Sequence, residues 1–177
     1  FHANWTANEY TITYEVTGGS IEDANYKTAY VYGSETTLPA TVSKTGHTFA
    51  GWFTNSAFEG SAMTGISATE YGNKTFYAKW LVNTYDVTLE ENGGTVNSGD
   101  ITEYTFGVGA ILPTTKNVSK TGYTFAGWWT GNCSSCDSCA HSGTACGSCG
   151  SKVTESTILN EAKNITIYAH WNAVGYT

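Results

Sequence analysis

The sequence predicts a mainly β chain, or α+β with little helix, built as two small units in tandem. Three observations carry that expectation. A phrase is written twice, VSKTGHTFAGW from Val42 to Trp52 and VSKTGYTFAGW from Val118 to Trp128, with ten of eleven residues alike and 76 positions between copies. Recurrence at a long interval marks a structural unit used more than once. Charged residues make up only 13% of the chain, while Gly, Thr, Tyr and Trp are plentiful and prolines number two. That mix favours short strands and turns over long helices. Finally, Tyr10–Val16 alternates Tyr, Ile, Tyr, Val against Thr, Thr, Glu, the period of a half-buried strand.

The likeness spreads outward from the phrase. YTITYEVTGGS (Tyr10–Ser20) faces YDVTLEENGGT (Tyr85–Thr95), YGSETTLP (Tyr32–Pro39) faces FGVGAILP (Phe106–Pro113), and KTFYAKW (Lys74–Trp80) faces NITIYAHW (Asn164–Trp171). Closing tryptophans at 5, 80 and 171 stand 75 and 91 residues apart. The expected organisation is a closing strand of a preceding repeat at 1–5, a first repeat at 6–80, a second at 81–171, and the start of a following segment at 172–177. Phe1 opens no signal peptide, so the chain reads as mature or cut from something longer.

Within a repeat, the first strand ends in TGGS or ENGGT, whose glycines tolerate the positive φ of a tight turn. Lys27–Tyr32 reads as a second strand, and Leu38-Pro39 breaks it off because proline offers no amide hydrogen to a ladder. Ala57–Tyr71 shows neither caps nor a long 3.6-residue period and reads as a short helix or irregular turn. On the closing strand Phe76, Ala78 and Trp80 are expected inward. Tyr77 and Lys79 are expected outward, with their counterparts His2, Asn4, Tyr168 and His170. The phrase itself supplies a turn glycine (Gly46, Gly122), core aromatics (Phe49 and Trp52; Phe125 and Trp128) and a glycine where another backbone or ring approaches (Gly51, Gly127). With Trp80 and Trp171 these rings are the candidate core, since a unit of about 75 residues buries little surface otherwise. The competing reading leaves the same aromatics exposed as a binding surface.

Net charge is −7, with eight lysines and no arginine. An acidic chain without Arg forks argues against nucleic-acid binding, and no apolar run approaches the ~20 residues of a membrane span. Nucleophilic catalysis needs Ser or Cys beside His with an orienting acid. The histidines argue against it, since His47 is Tyr in the other copy and His2 and His170 are placed outward. Glu90-Glu91 and Glu22-Asp23 flank turns and read as solvated faces. No phosphate-cradling glycine loop joins a strand to a helix. No enzyme activity, catalytic residue or cofactor is therefore expected. Sequons at Asn4, Asn73, Asn117, Asn132 and Asn164 matter only in a eukaryotic secretory route.

The ordered set of LP…K, GYTFAGW, NGG after a first strand and a terminal YAKW-like strand resembles the Listeria–Bacteroides repeat, the B-repeat of internalin B. The resemblance covers both units nearly end to end. It implies a compact β-grasp-like fold, a small mixed sheet with little helix, and a place in tandem arrays on secreted or cell-wall-attached bacterial proteins, often adhesins. It brings no catalytic residues. What it implies for function is a noncatalytic extracellular spacer and adhesive stalk, part of a longer tandem array, whose partner is a host or neighbouring-cell surface protein or glycan. The alternative is a module that binds a specific ligand or metal through a cysteine-rich insertion in the second unit.

That insertion departs from the family pattern. Trp52 to Trp80 spans 28 residues and Trp128 to Trp171 spans 43, so about 15 residues are added at about 130–150. All five cysteines, Cys133, Cys136, Cys139, Cys146 and Cys149, lie there with His141. Two disulfides and one thiol suit an extracellular, glycine- and serine-rich loop. A tetrahedral zinc site from Cys133, Cys136, Cys146 and Cys149 is the metal alternative, although its spacer is short. An iron–sulfur site and reduced thiols are the others, and no connectivity is assigned. The disulfide reading predicts that the purified chain weighs less than its reduced form by the hydrogens of two disulfides and carries no stoichiometric metal. Mass spectrometry with and without reductant, beside metal analysis, checks this; one zinc per chain with every thiol reduced overturns it.

Overall fold

A computed structural model describes residues 1–132, 150–154, 158 and 160–175. The cysteine-rich segment expected to form disulfides or hold a metal lies outside the described residues. The chain divides into two compact units, Phe1–Val82 and Asn83–Thr177.

In the first unit four strands form the main sheet: β1 (Glu9–Glu15), β3 (Ala29–Val31), β6 (His47–Phe53) and β8 (Lys74–Val82). Their order is β3-β1-β8-β6, with β1 and β8 parallel and the outer pairings antiparallel. Parallel strands need a long crossover, and nearly the whole unit supplies it. Two small ladders brace the crossover, β2 (Ser20–Ile21) with β5 (Val42–Ser43) and β4 (Thr36–Thr37) with β7 (Gly65–Ile66). The stretch read as a short helix or irregular turn thus contains β7, whose Ile66 is buried. The second unit repeats the arrangement with β9 (Thr84–Glu90), β11 (Glu103–Thr105), β13 (Tyr123–Trp129) and β14 (Ile165–Ala173) in the order β11-β9-β14-β13, and with β10 (Thr95–Val96) against β12 (Val118–Ser119). The fold is mainly β, a small mixed sheet in each unit.

The alternation on β1 is borne by Tyr10, Ile12 and Tyr14, which face the core with Ile12 buried; Val87 is the buried counterpart on β9. On β6, strict alternation puts Phe49 and Trp52 on opposite faces. The ladder instead shifts register between Phe49 and Gly51, pairing Phe49 with Trp80 and Gly51 with Lys79 and leaving Ala50 as the extra residue. Such a bulge inverts the parity of every later residue on the strand, so Phe49 and Trp52 both turn inward and meet at 5.3 Å between ring centroids. Gly51 has φ +118°, and a Cβ there would lie 2.6 Å from that of Ala62. β13 carries the same shift between Phe125 and Gly127, with Gly127 at φ +127°.

Trp52 and Trp128 are 2% and 3% exposed, and their indole nitrogens donate to Pro39 O at 2.8 Å and Pro113 O at 2.9 Å. Phe49, Trp80, Phe125 and Trp171 are half-buried, each packed against its unit's core cluster. Trp52→Ala should cost about 3–5 kcal/mol, the range for deleting a large core aromatic. A denaturant melt should show the first unit losing cooperativity while the second keeps its transition. A melt of the first unit within a degree or two of the parent contradicts the core assignment.

Candidate functional site

The side chains that recur in both units converge where the first turn meets the closing tryptophan. Lys44 Nζ donates to Thr17 O at 3.0 Å and stands 5.9 Å over Trp80. Lys120 Nζ donates to Asn92 O at 2.7 Å and stands 5.8 Å over Trp171 and 4.5 Å over Tyr123. Each closing indole donates at 2.9 Å to the residue before that turn, Trp80 to Val16 O and Trp171 to Glu91 O. The two glycines of each turn serve different ends. Gly18 and Gly93 take φ of +79° and +77°, while Gly19 and Gly94 lie against the rings of Trp80 and Trp171, leaving no space for a Cβ.

Two of the sequon asparagines, Asn73 and Asn164, hold the first long strand of their unit. Thr11 N–H donates to Asn73 Oδ1 at 3.1 Å, and Asp86 N–H to Asn164 Oδ1 at 3.0 Å, so each asparagine caps the start of the parallel pair. Tyr30 donates to Gly72 O at 2.6 Å, and the Tyr104 hydroxyl lies 2.7 Å from Glu161 O and 2.8 Å from Lys163 O. Burial raises the pKa of both phenols. Composition and spacing gave no hint of the lysine role, because its partner carbonyl is 27 or 28 residues away.

The two units differ at the loop after β6 and β13. In the first, Asn55 Oδ1 accepts from Ala57 N and Glu59 N, both at 3.1 Å, and Phe58 meets Phe53 edge-on at 5.8 Å beneath Lys79. Met63 N returns to Trp52 O at 2.7 Å. In the second, Val153 N makes the same return to Trp128 O at 2.8 Å, and Thr130 and Ser151 close the strand ends, Thr130 N donating to Ser151 O at 3.0 Å and Ser151 N to Thr130 Oγ1 at 2.9 Å. Trp129 and His170 replace Phe53 and Lys79, their rings stacked at 4.9 Å and 6°. His170 Nε2 donates to Gly131 O at 3.0 Å, and Asn92 Nδ2 donates to Ala169 O at 2.9 Å and to Asn132 Oδ1 at 3.3 Å.

The structure corrects the outward reading of His170. The residue is 3% exposed: it lies on the sheet face away from the core, but Trp129 and Gly131 cover that face. A cleft of about 200 Å³ in the same unit is lined by Val153, Ile158, Ile165 and Ile167, with Glu161 and Lys163 also on its wall. Ile167 stands there in place of the larger Phe76. Among the described residues no group of three or more His, Cys, Asp or Glu is placed to hold a metal, and no helix is long and apolar enough to cross a membrane.

The family model of the Listeria-Bacteroides repeat domain matches residues 10–79 and 85–139. The chain belongs to that family. Two members' worth of the Listeria-Bacteroides repeat therefore account for the twin scaffold. The chain is 35% identical over 129 residues to a "Putative Gly-rich membrane protein" of Evansella cellulosilytica, an alignment covering 72% of this chain and 14% of the relative. A second relative from that organism, a "Putative membrane protein", is 32% identical over 129 residues, covering 72% of this chain and 19% of its own length. The chain thus spans less than a fifth of the curated relatives it matches. No solved structure matches it.

Tyr14 gives the first unit an alkaline signature. Its hydroxyl donates to Lys27 O at 3.0 Å, and burial, reinforced by Tyr26, pushes its pKa from 10.0 up to about 12. The folded state therefore holds the proton where the unfolded chain gives it up. Stability from this group is full below pH 10.0, falls as pH rises, and is gone above about 12. Urea melts across that window should show the first unit weakening, and Tyr14→Phe should flatten the slope. An unchanged slope in the variant refutes the assignment.

Proposed function

We propose that the chain is a noncatalytic extracellular repeat module, a stretch of the spacer and adhesive stalk of a larger bacterial surface protein that is secreted or attached to the cell wall. One observation carries the reading. The twice-written phrase uses its side chains on the fold, and in the same way in both units: Lys44 and Lys120 on the first turn, Phe49 and Phe125 on the closing tryptophan. A residue set shared between copies for packing is what an array requires, since each unit must fold beside its neighbour. The relatives' names, and the small part of their length this chain matches, agree with a segment of a long surface protein. The partner of such a stalk is a host or neighbouring-cell surface protein or a glycan.

A second reading has its own support. Trp129, His170 and Asn92 fasten the base of the insertion with contacts the first unit does not make. That suits a loop presented for a specific ligand or a metal.

The two readings part in one experiment on the full-length parent protein. Both units are replaced by two unrelated domains of equal span, and, separately, residues 133–149 are deleted. A spacer keeps adhesion in both cases. Loss of adhesion after the length-preserving replacement, with the deletion tolerated, sinks the spacer proposal, and loss in both cases transfers the function to the insertion, which the replacement also removes. Zinc titrated into the chain, bound one to one and lost with the deletion, establishes the metal form of the second reading.

A further inference from the structure

Asn92-Gly93 is the single Asn–Gly step in the sequence. It sits in the first turn of the second unit with φ of +49° and +77°. The first unit makes the same turn with Thr17 at φ +43° and Gly18 at +79°, so the turn itself does not require an amide side chain. We propose that Asn92 is a self-modification site, where the Gly93 main-chain nitrogen displaces the side-chain amide and the product unfastens the base of the insertion.

Three features build the site. Gly93 is exposed and has no side chain to hinder its nitrogen; even a Cβ there would come no nearer to another atom than 3.6 Å, from Lys120 Nζ. The Lys120 ammonium donates at 2.7 Å to the Asn92 carbonyl oxygen, which belongs to the same peptide group as the Gly93 N–H. A cation at that oxygen stabilises the anion left when the nitrogen loses its proton, through a charge-assisted hydrogen bond. The amide to be displaced is the one that reaches Ala169 O and Asn132 Oδ1.

The chemistry closes with water alone. Solvent base takes the Gly93 proton, the nitrogen attacks Asn92 Cγ, and the Cγ–Nδ2 bond breaks with release of ammonia, leaving a five-membered imide. Water then opens either imide carbonyl, giving aspartate or isoaspartate at position 92. One water is consumed and one ammonia released, with no change of oxidation state. The new carboxylate only accepts hydrogen bonds, and it faces the two acceptors that held the amide. Isoaspartate also adds a methylene to a main chain whose next glycine, Gly94, lies against Trp171. The tie between the first turn, β14 and Asn132 is lost, and only in the second unit, because Thr17 carries no amide.

The test is peptide mapping by mass spectrometry on the intact chain held folded at neutral pH for weeks. The expected result is a gain of one mass unit confined to the Asn92 peptide, with isoaspartate among the products. Lys120→Met should slow the reaction by about tenfold, the rate equivalent of one charged hydrogen bond, and Lys120→Arg should keep it. Where the Met variant does not fold by circular dichroism, Lys120→Gln retains a donor without the charge. In concentrated urea wild type and variants should react alike. Asn92→Asp should raise hydrogen exchange at Gly131 and Asn132 while leaving the first unit unchanged. An Asn92 that stays intact when folded, a folded rate indifferent to the Lys120 charge, or an Asn92→Asp chain with unchanged exchange overturns the proposal.

Discussion

The bulges at Ala50 and Ala126 decide which rings reach each core. Without the extra residue, the edge strand would turn Phe49 or Trp52 away, and the ring set of Phe49, Trp52 and Trp80 would not close. The contacts at 5.3 and 5.5 Å between those centroids, and at 5.4 and 5.2 Å in the second unit, depend on that one insertion. It also explains why glycine comes directly after the bulged alanine. The backbone there takes a φ that side chains resist, and neighbouring Ala62 or Lys152 occupies the Cβ position.

Around the bulge the units share polar ties and diverge in their rings. Lysine to turn carbonyl, indole to main chain and asparagine to strand start all recur. Tyr14 and Phe76 give way to Leu89 and Ile167, while Phe53 and Lys79 give way to Trp129 and His170. The ties fix backbone position and tolerate no other geometry, whereas an apolar site accepts any group of suitable volume at modest cost. Divergence is concentrated beside the insertion, where Trp129, His170 and Asn92 pin a neck that the first unit's short, self-capped loop has no use for.

Strand type and the inward stripe of β1 were legible because a half-buried strand repeats every two residues. The tandem plan was legible because the phrase is long and its copies nearly identical. The bulge was hidden: parity analysis assumes a continuous ladder, and Gly51 carries no mark distinguishing a bulge from a close approach. Lys44 stood in plain view inside the phrase, yet its role depends on a carbonyl far off in sequence. Asn73 and Asn164 invited a modification reading because their N-x-T pattern is also what a capping asparagine followed by a β-branched strand looks like. His170 was placed on the correct face of its strand but given the wrong surroundings, since a face turned from the core can still be covered, here by Trp129 and Gly131.

The parallel pairing of first and last long strands has a mechanical meaning. β1 enters each sheet near the start of a unit and β8 leaves near its end, side by side through Ile12–Lys74 to Glu15–Tyr77; β9 and β14 do the same through Val87–Ile165 to Glu90–Tyr168. Tension applied at the two ends of a unit slides these strands along each other, so the ladder bonds are loaded together in shear rather than peeled one after another. The closing indole and the lysine beneath it clamp the first turn at the far end of the same pair. A chain of such units resists extension through its connectivity.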